Sequence, residues 1–149
     1  MPLLRAALSW NFVLATAICA SLLAQLIKVL LNLFIFHRFI AERMWGAGGM
    51  PSSHSATVCA MVVATGRYCG VNSPIFAIAA VLSIIVMYDA MGVRYETGEQ
   101  AKVLNRMFTE WMDQGFEQFQ LPHGKKLKEM VGHTPIEVVT GAALGIVLG

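Results

Sequence analysis

Two histidines stand at the starts of apolar segments, in company suited to phosphoryl chemistry. His133 lies in Val131-Gly132-His133-Thr134-Pro135-Ile136-Glu137-Val138. A histidine just before a helix, with a carboxylate one turn on, can be a nucleophile whose tautomer the carboxylate fixes. The same stretch fits a capping box, with Thr134 as N-cap, Pro135 at N1 and Glu137 at N3. Glu137 therefore has a structural and a catalytic reading. His54 lies in Gly48-Gly49-Met50-Pro51-Ser52-Ser53-His54-Ser55. Glycines such as Gly49 permit a tight turn, Ser52 can cap the helix that follows, and first-turn N–H groups, that of Ser53 included, bind phosphate-like anions. His54 beside such an anion can protonate a leaving oxygen. A plain cap with an incidental histidine is the competing reading.

Three charged residues complete the set. Arg94, in Tyr88-Asp89-Ala90-Met91-Gly92-Val93-Arg94, carries a fork of donors that grips two phosphoryl oxygens. Asp89 can pair with Arg94 or with Lys28 and hold it in place, or form only a structural ion pair. Lys28 sits within an apolar run, about 12 Å below its end at Phe36. An ammonium at that depth is a functional candidate by default; the alternative is a lysine that snorkels to the headgroups. His37 and His123 lack comparable surroundings and read as surface residues. A metal site made of His54, His133, Asp89 and Glu137 is a further reading; the leading expectation is no metal and no cofactor.

The elements that must position these residues are apolar. Of 149 residues, 56% are hydrophobic and 13% charged, and the mean hydropathy is +0.61. Soluble domains carry about 25% charged residues. The formal net charge of +2 comes without a basic tail, which argues against nucleic acid as a partner. Cys19, Cys59 and Cys69 show no CxxC spacing, so neither a disulfide framework nor a zinc site is indicated. The composition points to a small integral membrane protein, read as one domain over residues 1–149.

The first apolar run goes from about Asn11 to Phe36, and about 20 residues suffice to span a bilayer. Arg5 ahead of Ala15-Thr16-Ala17 also fits a signal peptide, but the run continues well past a signal core of about 7–15 residues. Ser21, Gln25, Lys28 and Asn32 recur at helical spacing within an arc of roughly 60°, a polar stripe that must face protein or water. A second helix is expected over 52–68 and a third over 73–91. A polar segment follows, with an amphipathic helix over 100–120 that puts Leu104, Met107, Phe108, Trp111 and Phe119 on one side. That helix lies on the membrane surface or over the bundle, or packs on its own loop. The last run, 135–149, is marginal for a span. Its Gly141, Gly145 and Gly149 let another helix approach closely, either inside the chain or at a homo-oligomer seam. The expected fold is an all-α integral membrane bundle of about four transmembrane helices plus one amphipathic helix.

Spans that alternate in direction bring residues 48–54, 89–94 and 133–137 to one face. The same face collects Arg38, Arg43, Arg94, Lys102, Arg106, Lys125, Lys126 and Lys128, against Arg5 and Arg67 opposite. The positive-inside rule puts the site face in the cytoplasm, or its organellar equivalent, and the expected location is a bacterial plasma membrane, although a site for an anion would also collect Lys and Arg.

The motif 48–56, the run Ile85–Arg94, Gln100-Ala101 and Gly132–Val138 together resemble the divergent branch of the type 2 phosphatidic acid phosphatase superfamily, related to acid phosphatases and vanadium-dependent haloperoxidases. The likeness covers about Gln25 to Gly145. In the wider superfamily, Lys-x6-Arg-Pro, Pro-Ser-Gly-His and Ser-Arg-x5-His-x3-Asp motifs build the site. By that resemblance Pro51-Ser52-Ser53-His54 matches the second, with Ser53 for Gly, and His133-x3-Glu137 the third, with Glu for Asp. Leu127 and Ile35 stand where the third and first motifs have Arg, and Arg94 is the substitute.

The resemblance implies a phosphatase acting on a lipid phosphate or diphosphate. His133 would attack phosphorus, His54 would protonate the leaving oxygen, and Lys28, Arg94, Ser52 and the Ser53 N–H would hold the equatorial oxygens. The alternatives are a non-catalytic membrane protein that binds an anionic lipid or phosphate at the same site, and the metal site.

Overall fold

A computed structural model describes residues 11–36, 49–114, 126–129 and 131–149. They form α1 (Phe12–Phe36), α2 (Ser53–Cys69), α3 (Pro74–Met91), α4 (Val93–Asp113) and α5 (Pro135–Leu148), with no strand among the described residues. The helix starts lie where cap chemistry puts them. Ser52 accepts from the Ser55 N–H, and Ser73 accepts from the Phe76 N–H ahead of Pro74. Thr134 and Glu137 form the capping box of α5. Gly70, at φ 83°, ends α2 in a backbone conformation that a β-carbon would strain.

The packing is that of a membrane bundle. The interior is made of small residues: Ala20 and Ala24 of α1 meet Ala56 and Ala60 of α2, with Leu144 and Leu148 against them. The large apolar side chains point outward, among them Leu22, Phe34, Ile78, Ile84, Val139 and Val147. In water this would be inside out. In lipid it is expected, since small residues let helices approach closely and bulky ones meet acyl chains. α1 and α3 are long and apolar enough to cross a membrane. The protein is an all-α membrane helical bundle, with α2 at its centre, packed against α1, α3 and α5.

The glycines of α5 pack against α2. A β-carbon on Gly141 would collide with the Ser52 carbonyl, one on Gly145 with that of Ala56, and one on Gly149 with that of Ala60. The small stripe therefore packs inside the chain, against α2. The pairing Ser52–Gly141, Ala56–Gly145, Ala60–Gly149 rises together in both helices, so α2 and α5 run parallel. Their N-termini lie side by side.

The amphipathic helix begins and ends earlier than expected, at Val93–Asp113 instead of 100–120. Gly92 starts it directly after α3, without a side-chain cap. Its buried residues are Gly98, Ala101 and Asn105, while Leu104 and Met107 are exposed. The face used inside the protein is a stripe of small residues, and it packs on its own loop: Asn105 holds Leu127 and Glu129. Phe119, Arg38, Arg43, His37, His123, Lys125 and Gly48 lie outside the described residues.

Candidate functional site

The parallel α2 and α5 place two helix starts together, each with a positive dipole end and first-turn N–H groups facing the same space. The Ser52 N–H donates to the Glu137 carbonyl at 2.9 Å and ties one start to the other. From the side, α1 brings Lys28, and the junction of α3 and α4 brings Asp89 and Arg94.

His133 sits at the centre, 2% exposed. Its N–H donates to the Ala90 carbonyl at 3.0 Å, which fastens the residue to the end of α3. Its Nδ1 lies 3.0 Å from Glu137 Oε2. An ionised carboxylate only accepts, so Nδ1 carries the hydrogen of that bond. The same oxygen accepts from the Thr134 N–H at 3.2 Å, and the carboxylate also takes the Gly49 N–H. One carboxylate oxygen of Glu137 thus closes the helix cap and holds the imidazole. With Nδ1 protonated, Nε2 holds the lone pair, and this nitrogen is buried with no hydrogen-bond partner among the described residues.

His54 faces it. The two imidazole centres are 6.1 Å apart with their planes at 64°. His54 is exposed, so the pair has an inner and an outer member. Lys28 and Arg94 lie within electrostatic range of His54, and Glu137 within range of Lys28. Lys28 is itself 2% exposed. Its stem passes under Gly49, where φ is 88° and a β-carbon would stand 3.4 Å from Lys28 Cδ. The polar stripe of α1 therefore turns inward, as its spacing indicated, and the lysine does not snorkel. Two histidines, a buried ammonium, a guanidinium and two helix starts brought together have the chemistry to hold an anion.

The remaining expected residues fall as follows. Ser52 is fully buried, and its Oγ accepts from the Ser55 N–H and hydroxyl at 3.4 and 3.1 Å, so its side chain serves the cap. Ser53 is buried at the first turn of α2, where its N–H stands at the open end of the helix. Arg94 is exposed and gives its Nε to Asp89 Oδ2 at 2.5 Å, so Asp89 holds Arg94 and not Lys28. No group of three His, Cys, Asp or Glu side chains is placed to hold a metal ion among the described residues, so His54, His133, Asp89 and Glu137 do not form a ligand set. Sequence reasoning missed the Ala90 carbonyl and the Ser55 hydroxyl. A backbone acceptor leaves no trace in residue type, whereas Ser55 was visible as part of the Ser-Ser-His-Ser run.

A model of the divergent PAP2 family matches residues 9–148. The chain belongs to the divergent PAP2 family. One relative within reach is YuiD of Bacillus subtilis (strain 168), named as an uncharacterized membrane protein. It is 38% identical over 144 residues, spanning 93% of this chain and 91% of that protein. No solved structure matches the chain. Membership in the divergent PAP2 family covers every helix described above, and with it both helix starts that frame the site.

Proposed function

We propose that this divergent PAP2 protein is a membrane-embedded phosphatase that hydrolyses a lipid phosphate or diphosphate through a phosphohistidine. The observation that carries the reading is His133: Nδ1 is held by Glu137, and Nε2 is buried beside two helix starts with no hydrogen-bond partner among the described residues. Nε2 attacks phosphorus in line, and the bond to the leaving oxygen breaks as His54 gives that oxygen a proton. Water then attacks the phosphohistidine, with His54 taking its proton, and inorganic phosphate leaves. Lys28, Arg94 and the N–H groups of Ser53 and His54 hold the charge on the equatorial oxygens through both steps. A lipid substrate is in keeping with a site set among helices whose outer faces are apolar. The excess of Lys and Arg on the site face supports a cytoplasmic orientation in a bacterial plasma membrane.

A second reading is supported by Leu127. It stands where the superfamily's third motif has Arg, and its backbone is fixed to Asn105. A protein without a guanidinium at that position could bind a phosphate or an anionic lipid without turning it over.

Phosphate release from a panel of lipid phosphates and diphosphates in micelles, with and without chelator, separates the readings. Turnover that survives chelator and is lost in His133→Ala supports the phosphatase. Binding of the panel by folded protein without release supports the binder.

A further inference from the structure

The segment that carries His133 is laid along α4. Leu127 gives its N–H to Asn105 Oδ1 at 2.8 Å, and its carbonyl accepts from Asn105 Nδ2 at 2.9 Å. The same Nδ2 donates to Glu129 Oε1 at 2.8 Å. Further along, the Glu129 carbonyl lies over Gly98, where a β-carbon would collide with it. Gly132 in turn lies against the backbone of Arg94 and Tyr95, with no room for a side chain. His133 then donates its N–H to the Ala90 carbonyl. The chain thus runs back along one face of α4, past Asn105, Gly98 and Tyr95, to the end of α3.

We propose that Asn105 is a positioning residue: by pairing with both backbone groups of Leu127 it sets the register of residues 127–129 and 131–133 on α4, and so the place of the His133 imidazole. The inference rests on the phosphatase reading and adds a part of the machinery well away from the reacting atoms, about 16 Å along α4 from Arg94.

Asn105 is 5% exposed, and its amide offers the donor and the acceptor of a peptide group. It therefore binds Leu127 as a neighbouring strand would, and such pairing has one register. A slip by one residue would break all of these bonds. It would also bring a residue with a side chain onto Tyr95, where only Gly132 fits. The buried stripe of α4 reads as a track for this segment: Gly98 and Ala101 keep it close, and Asn105 pins it. If Asn105 only stabilised α4, its loss would lower stability and leave the geometry at His133 unchanged. If it positions His133, the imidazole must report its loss.

The test uses the full chain in detergent, labelled with 15N at histidine, the His133 signals being assigned from His133→Ala. In Asn105→Ala the His133 Nδ1 and Nε2 resonances are expected to shift or broaden. In Glu129→Gln they should stay, since the glutamine oxygen still accepts from Asn105. Asn105→Asp loses the donor and sets a carboxylate against Glu129; Asn105→Asp with Glu129→Gln restores a donor between the two side chains and should recover part of the wild-type spectrum. That pair also serves if Asn105→Ala fails to fold. In the phosphate-release assay Asn105→Ala is expected to lower kcat by about 10-fold or more with KM within about 2-fold, as for a misplaced catalytic group. Unchanged His133 resonances in folded Asn105 variants would overturn the proposal. If wild type releases no phosphate from any substrate, the phosphatase reading falls, and the resonances still decide whether Asn105 sets His133.

Discussion

Glu137 Oε2 lies 3.0 Å from His133 Nδ1 while it also accepts the Thr134 N–H at 3.2 Å. One oxygen thus closes a helix and fixes a tautomer. The cap of α5 and the placing of the candidate nucleophile therefore share one acceptor.

Glu137→Gln separates the two duties. The glutamine oxygen still accepts from Thr134, but the charge that favours a protonated Nδ1 and stabilises an imidazolium is gone. The thermal midpoint in detergent should stay near that of wild type, with phosphate release per folded molecule down about 100-fold. Preserved release with a lowered midpoint would leave Glu137 a cap and nothing more.

Lys28→Met keeps the stem under Gly49 and removes the charge. Burying a charge that lacks an ion-pair partner is costly, so its removal should let the midpoint hold or rise. A charge-assisted hydrogen bond contributes about 1.5–3 kcal/mol, so the concentration of vanadate needed for half-inhibition should rise about 10- to 100-fold. Unaltered vanadate inhibition would remove Lys28 from the site.

The α2–α5 seam has its own test. Gly145→Ala puts a β-carbon into the Ala56 carbonyl and should destabilise the bundle by about 1–3 kcal/mol or more, the usual range for overpacking. Gly149→Ala should act in the same direction through Ala60, because the two contacts repeat one helical turn apart. Denaturant titrations in mixed micelles measure both; a neutral Gly145→Ala would mean that α5 does not lie on α2.

Orientation is read with His123→Cys in a variant lacking Cys19, Cys59 and Cys69. A membrane-impermeant thiol reagent should label it only after the cells are opened. Labelling in intact cells would put the site face outside.

The helix boundaries were legible because cap residues mark them: Ser52, Ser73 and Thr134-Pro135 open helices where they stand in the chain. The convergence of His54, His133 and Lys28 was legible too, since alternating spans bring those ends to one face. Other features required coordinates. The spacing of Gly141, Gly145 and Gly149 defines a face but not its partner, and that face met α2. Leu104 and Met107 gave α4 an amphipathic pattern, yet its inner face is Gly98, Ala101 and Asn105, because what it receives is a length of backbone needing close approach. Ser52 reads from its type as a cap and as a phosphate ligand; the structure shows its hydroxyl in the cap.

The central claim is that His133 Nε2 bonds to phosphorus. Rapid acid-free denaturation of the protein during turnover of a 32P-labelled lipid phosphate, followed by mass spectrometry of its peptides, tests it directly. The account predicts an acid-labile, base-stable phosphate on His133, absent from His133→Ala and accumulating in His54→Ala when the substrate has a good leaving group. Steady turnover with no label on His133, or equal turnover by His133→Ala, would contradict it.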